Sequence, residues 1–144
     1  MQDFKSECMV KNFKMVAKTL FGFEELLAQE LRQLGASEIE VGTRNVSFEG
    51  DKGFMYKANL CCRTAIKILK PITVFNIFNE EDLYKKVYEI KWEDYMDVDG
   101  SLAVNATIFS DYFTHSQYIS LKTKDAIVDR FRDKEGKRPD VDLD

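Results

Sequence analysis

Phe13 to Lys18 mixes apolar and basic residues as a short strand does, and Thr19 to Gly22 breaks it. In GFEELLAQELRQLG, Phe23, Leu26, Leu27, Leu31 and Leu34 recur at helical spacing on one face. Glu24 and Glu25 occupy the first turn, where the helix dipole favours acids, and Gly35 stops the helix. Ile39 to Val41 and Val46 to Phe48 are β-prone runs either side of Gly42 to Asn45, a spacing that predicts a hairpin. Asp51 is placed to cap a second helix, in which Met55, Asn59, Cys62 and Ile66 form one row and Tyr56, Leu60 and Arg63 its neighbour. Lys67 to Phe78 is a β-branched run interrupted by Pro71, which predicts an edge strand or a strand entered after the proline. The order is β-α-β-β-α-β, the split βαβ arrangement of ferredoxin-like folds, complete by about residue 78.

The texture then changes. EEDLYKKVYEIKWEDYM predicts one or two short helices with Leu83, Val87 and Ile90 inward, the acids on the solvated side and Trp92 anchoring a turn. Leu102, Val104, Ala106 and Ile108 alternate with polar residues as in a half-buried strand. Phe109 to Ser116 reads as a connection, and a helix is predicted from about Gln117 to Lys134, closed by Glu135, Gly136 and Pro139. The expectation is an α+β chain with one domain over residues 1–78 and another over 79–144, the latter a partial α-α-β-α unit. A single strand makes no sheet, so its partner strands are expected to lie beyond Asp144 and the chain to be a fragment.

Composition is that of a folded domain: 144 residues, 44% hydrophobic and 32% charged. No apolar run is long enough for a membrane span, and the first residues do not look like a secretory signal, so a cytoplasmic protein with no membrane partner is expected. Cys8, Cys61 and Cys62 form no CxxC pair and read as free thiols. A net charge of -4 argues against coating nucleic acid over the whole surface. Locally the balance shifts. From Asn76 to Gly100 eight acids face three lysines, a balance of -5, whereas from Thr114 to Arg138 seven bases face four acids, a balance of +3.

Catalysis has little material here. His115 is solitary, no GxSxG or Gly-rich phosphate loop is present, and the carboxylates follow no recognisable pairing. The informative segment is THSQYISLKTKDAIVDRFRDKEGKRPDVD. On a helical wheel Leu121, Ile127, Val128 and Phe131 make a core stripe, and Lys122, Asp125, Asp129 and Arg132 cluster elsewhere as ion pairs. Lys124 falls inside the apolar stripe and must snorkel or meet a negative partner. Lys122 and Lys124 also lie in the first two turns, where the dipole disfavours cations and a phosphate would reverse the penalty. Tyr118 and His115 could stack on an unpaired base, and Lys137 with Arg138 forms a second basic group. The plain alternative is a helix capped by Ser116 with solvated lysines.

The runs GFEELLAQELRQLGA, YKANLCCRTAIKIL, DLY, IKW and HSQYISLKTKDAIVDRF with RPDVD together resemble the amino-terminal part of bacterial THUMP-containing large-subunit rRNA guanine-N2 methyltransferases, often labelled N6-adenine-specific DNA methylases. The resemblance implies a ferredoxin-like domain, then a THUMP domain that binds structured RNA, here partial with its last strands missing. It also implies that a methyltransferase domain using S-adenosylmethionine follows in the parent enzyme and that this chain holds no cofactor itself. It implies RNA contact by Ser116, Gln117, Tyr118, Lys122, Lys124 and Arg138, with large-subunit ribosomal RNA as the partner and no catalytic residue in the chain. Two other readings stay open: a protein-interaction or assembly module using the acidic 80–99 face or a sheet edge, and the front end of a DNA adenine methylase.

Overall fold

A computed structural model describes residues 11–142 and divides the chain into two compact units, Met1–Thr73 and Val74–Asp144. Cys8 lies outside the described residues. The first unit runs β1 (Phe13–Lys18), α1 (Glu24–Leu34), β2 (Ser37–Gly42), β3 (Asn45–Gly50), α2 (Lys52–Cys61) and β4 (Lys67–Leu69). Its four strands are ordered β2-β3-β1-β4, every neighbour antiparallel, as a ferredoxin-like sheet requires. Met15 faces Phe48 and Ala17 faces Val46 across β1 and β3, and these four close a core with Leu27, Ala28, Leu31 and Ala58. Gly35 ends α1 in the left-handed region at φ 101°, and the Asp51 side chain accepts from the Phe54 N–H at 2.6 Å to start α2.

Several expectations change in this unit. The inward face of α1 is Leu27, Ala28 and Leu31, whereas Phe23 and Leu26 are exposed. The second helix ends at Cys61, short of Arg63 and Ile66, and of its two rows the one with Met55 and Cys62 is nearer the core. Ala58 is buried with Phe54, Met55 and Cys62 beside it, and Tyr56, Leu60 and Ile66 stay in water. Of the two readings of the fourth strand, the edge strand holds, but it lies before Pro71 and is only three residues long.

The second unit contains α3 (Glu80–Glu89), a 3-10 turn (Trp92–Asp94), β5 (Ser101–Leu102), α4 (Ser116–Glu135) and β6 (Asp140–Val141). Leu83 and Val87 of α3 pack on Ala126, Ile127 and Phe131 of α4, with Trp92 alongside and its indole N–H donating to the Val87 carbonyl at 2.8 Å. Tyr84 donates to Asp129 at 2.7 Å and Tyr88 to Asp133 at 2.9 Å, a constant separation of 45 residues, so the two helices run in the same direction.

The strand expected over Leu102 to Ile108 shrinks to Ser101–Leu102. Its burial still alternates as far as Ile108, so the pattern records which side faces the core, but no ladder forms beyond the two residues that β6 pairs in parallel. That partner, Asp140–Val141, was expected to lie beyond the chain and is found within it. Lys122 does not pair with Asp125, and Leu121 is exposed outside the core stripe, while Ala126 and Arg130 are buried.

A candidate nucleic-acid interface at the start of α4

Three of the four helices differ from α4 in how they begin. Asp51 caps α2, Asn79 caps α3 by accepting from the Asp82 N–H at 2.8 Å, and α1 opens on two glutamates. By contrast α4 has His115 at its cap position with no side-chain hydrogen bond, and its first turn carries no acid. Ser116 is thus the first helical residue and does not cap the helix, contrary to the plain reading of the sequence. The amide groups of this turn are left for water or for an anion.

Beside that turn lies a concavity of about 300 Å³ whose lining includes Asn105, Ser116, Gln117, Ser120, Lys124 and Asp142. Helical repeat explains the grouping: Ser116, Ser120 and Lys124 are spaced by four, Gln117 adjoins them, and long side chains lean towards the helix start. Lys124 solves its misplacement in the apolar stripe here, three-quarters covered and paired with Asp125 at 2.7 Å. Ser120 fixes the opposite wall by accepting from the Ala106 N–H at 2.9 Å. Asn105, Ser120 and Asp142 carry no signal in the sequence that marks them for this site; only the fold brings them there.

Of the other three expected residues, Tyr118 lines a hollow of about 450 Å³ with His115, Ser116 and Gln117 and a second of about 250 Å³ with Tyr112, Phe113 and Thr114, while Lys122 and Arg138 point elsewhere. Lys122 reaches Glu81 at 2.9 Å and lies 5.3 Å from the Tyr84 ring centre, and the Glu81 hydrogen bond raises its pKa. Arg138 reaches Asp129 at 3.3 Å, where Arg132, at 3.0 Å, and the Tyr84 hydroxyl also converge. Burial pushes the Asp129 pKa up, but these hydrogen bonds and charges outweigh it and leave it lowered, while the same contact raises Tyr84 to about 12.

The opposed charges of the two segments therefore meet inside one unit. Glu81 pairs with Lys122, Glu93 with Arg130 and Asp99 with Lys137. Arg130 is the residue that the charge count hid: it is buried, its Nε donates to both Glu93 oxygens at 3.1 and 2.9 Å, and Nη1 donates to the Tyr88 carbonyl at 2.9 Å. Its role is to join α4 to the segment after α3. Elsewhere, Cys61 and Cys62 are free, and burial, with Glu30 and Cys61 nearby, pushes the Cys62 thiol to about 11, far from a reactive thiolate. No group of residues suited to hold a metal ion is found among the described residues.

The family described as the RlmL ferredoxin-like domain matches residues 14–69, and that described as the THUMP domain matches residues 78–144. The chain is 39% identical over 131 residues to the ribosomal RNA large subunit methyltransferase K/L of Syntrophotalea carbinolica, covering 91% of this chain and 18% of that protein. It is 38% identical over 129 residues to the protein of the same name from Magnetococcus marinus, covering 90% of this chain and again 18% of the relative. Among solved structures it is similar to SMU.472, assigned as a methyltransferase and complexed with SAH, at a TM-score of 0.80 and 27% identity over 90% of this chain and 36% of that one. It is also similar to a predicted N6-adenine-specific DNA methylase from Listeria monocytogenes, at a TM-score of 0.70 and 29% identity over 88% of this chain and 33% of that one. The chain thus spans about a fifth of the length of these two relatives.

Proposed function

The chain belongs to the RlmL ferredoxin-like family over residues 14–69 and to the THUMP family over residues 78–144, and from that pairing we propose that it is the RNA-binding front end of an S-adenosylmethionine-dependent methyltransferase acting on large-subunit ribosomal RNA in the cytoplasm. In this reading residues 1–78 form the first domain, residues 79–144 hold the RNA, and chemistry belongs to a catalytic domain outside these residues. The observation that carries it is the uncapped start of α4, with Ser116, Gln117 and Lys124 lining one concavity. Tyr118 supplies a stacking surface on the adjoining hollow, and Lys122 and Arg138 contribute once phosphate competes with Glu81 and Asp129.

The residues present do not fit S-adenosylmethionine. Gly50 ends β3 and Gly53 lies in the first turn of α2, but a Cβ at Gly50 would meet the Phe54 ring at 2.7 Å, so this glycine serves packing. The assembly-module reading loses part of its support, because Glu81, Glu93 and Asp99 of the acidic segment are paired internally. The DNA reading rests on a neighbour's name, and product analysis of the parent enzyme on RNA and duplex DNA separates the two substrates.

The test is binding to large-subunit rRNA fragments at several salt concentrations. Affinity should fall as salt rises, and Lys124→Glu should weaken it and reduce the slope of log K against log salt by about 1. Binding that ignores salt, or that survives Lys122→Glu combined with Lys124→Glu, would sink the proposal.

A further inference from the structure

Three connections of the first unit meet at the end where β1 runs into α1. The Thr19 N–H donates to the Arg44 carbonyl at 3.0 Å, its hydroxyl to the Thr64 carbonyl at 2.7 Å, and the Ile66 N–H to the Lys18 carbonyl at 2.8 Å. Two carboxylates tie the same connections from within. Glu24 accepts from the Gly22 N–H at 2.7 Å and the Arg44 N–H at 2.9 Å. Glu30 accepts from the Arg63 and Thr64 N–H groups, both at 3.2 Å, and from the Thr64 hydroxyl at 2.8 Å. The Arg44 N–H is the main reason the Glu24 pKa is lowered; for Glu30, burial pushes upward and the Thr64 and Arg63 hydrogen bonds outweigh it.

These pinned connections expose apolar side chains. Phe21 is 74% exposed, Leu20 60% and Ile66 58%, with Phe23 and Leu26 also exposed at the start of α1. Apolar groups held in water by a well-bonded backbone mark a binding surface more often than a packing failure. Lys18, Arg44, Arg63 and Lys67 belong to the same end, and among the described residues none of the four is in an ion pair. Among the described residues this unit has one ion pair, Lys14 with Glu40 at 3.5 Å. Lys18 and Lys67 stand directly opposite each other on β1 and β4, a repulsion that a bound anion relieves. Met1–Thr73 also carries eleven Lys and Arg against nine Asp and Glu, a formal +2, whereas Val74–Asp144 carries ten against sixteen, a formal -6.

We infer that this end of the ferredoxin-like unit is a second RNA surface, which takes an unpaired stretch with bases on Phe21 and its apolar neighbours and phosphates on Lys18, Arg44, Arg63 and Lys67. Unpaired RNA presents both flat apolar faces and closely spaced negative charge, and this surface offers the complement of each. A second copy of the chain fits it worse, since a symmetric contact would set these four cations against themselves. The inference rests on the reading of the chain as RNA-binding, but on different residues, so the two fail separately.

Fluorescence anisotropy of a labelled oligouridylate titrated with the whole chain tests it. Phe21→Ala is expected to weaken binding about tenfold with little change in salt slope. Lys18→Gln with Lys67→Gln should instead reduce the slope by about 1.4, near 0.7 per lost phosphate contact on a single strand. Melting midpoints should stay put, because all three side chains are exposed. Wild-type binding by both variants overturns the inference. If Lys124→Glu alone then loses affinity, the reading of the second unit stands; if even the wild type does not bind the oligouridylate, this inference falls and binding to rRNA fragments decides the other. Light scattering without RNA supplies the remaining outcome: a dimer that Phe21→Ala dissolves makes this a protein interface and overturns the RNA assignment.

Discussion

Taking a guanidinium and a carboxylate out of water costs several kcal/mol per ion unless the donors and acceptors meet closely. Arg130 and Glu93 meet that condition, with two hydrogen bonds between them and a third to the Tyr88 carbonyl. Removing one partner leaves the other buried and unpaired, so Glu93→Ala should destabilise the second unit by about 3 kcal/mol, and Arg130→Met in the same chain should recover most of it. Urea unfolding followed by Trp92, the one tryptophan, reads this unit directly. The pH dependence has a definite sign. The Glu93 pKa is lowered from 4.5 chiefly by Arg130, and that of Asp129 from 3.8 by its hydrogen bonds working against burial. Depressed carboxyls stabilise above their unfolded values, so the Trp92 midpoint should hold above about pH 5 and fall below pH 4, more gently in Asp129→Asn. At this scale the sequence marks Lys124, because a lysine in an apolar stripe breaks a short-range rule. It marks Lys122 as well but gives it the wrong partner, since Glu81 lies 41 residues away and Asp125 only three.

Elements whose signal is periodic are legible in the sequence, and those defined by a distant partner are not. β1 appears with the expected bounds and α4 within a residue of them, since alternation, a 3.6-residue repeat and a left-handed glycine are local facts. Alternation from Leu102 to Ile108 is equally regular, yet a strand also needs a neighbour, and only β6 reaches it, over two residues. Hydrogen exchange separates burial from bonding here. Residues 103–108 should exchange fast in spite of their alternating burial, except the Ala106 amide, which Ser120 holds, and Ser120→Ala should release it. Protection across the whole run would mean a longer ladder than the structure shows. Helix ends offer a second test. Gly136 sits at φ 70°, so Gly136→Ala should cost about 1 kcal/mol in the same tryptophan-monitored unfolding.

For the whole molecule, the difficulty is that the proposed RNA is a polyanion while the chain has a formal charge of -4. Long-range attraction is weak or absent, so affinity has to come from a few short contacts, with an association rate near 10⁵–10⁶ M⁻¹s⁻¹ instead of the steered 10⁸–10⁹ M⁻¹s⁻¹. Acids distant from the contacts then act only on the encounter. Asp94 and Asp97 are exposed and in no ion pair among the described residues, and neither lines the α4 concavity. Asp94→Asn with Asp97→Asn removes two negative charges without touching a proposed contact. Stopped-flow measurements on an rRNA fragment should show association a few times faster in low salt, the gain vanishing at high salt, and dissociation unchanged. Slower dissociation would place RNA directly against these two aspartates and move the interface from the start of α4 to the turn that follows α3.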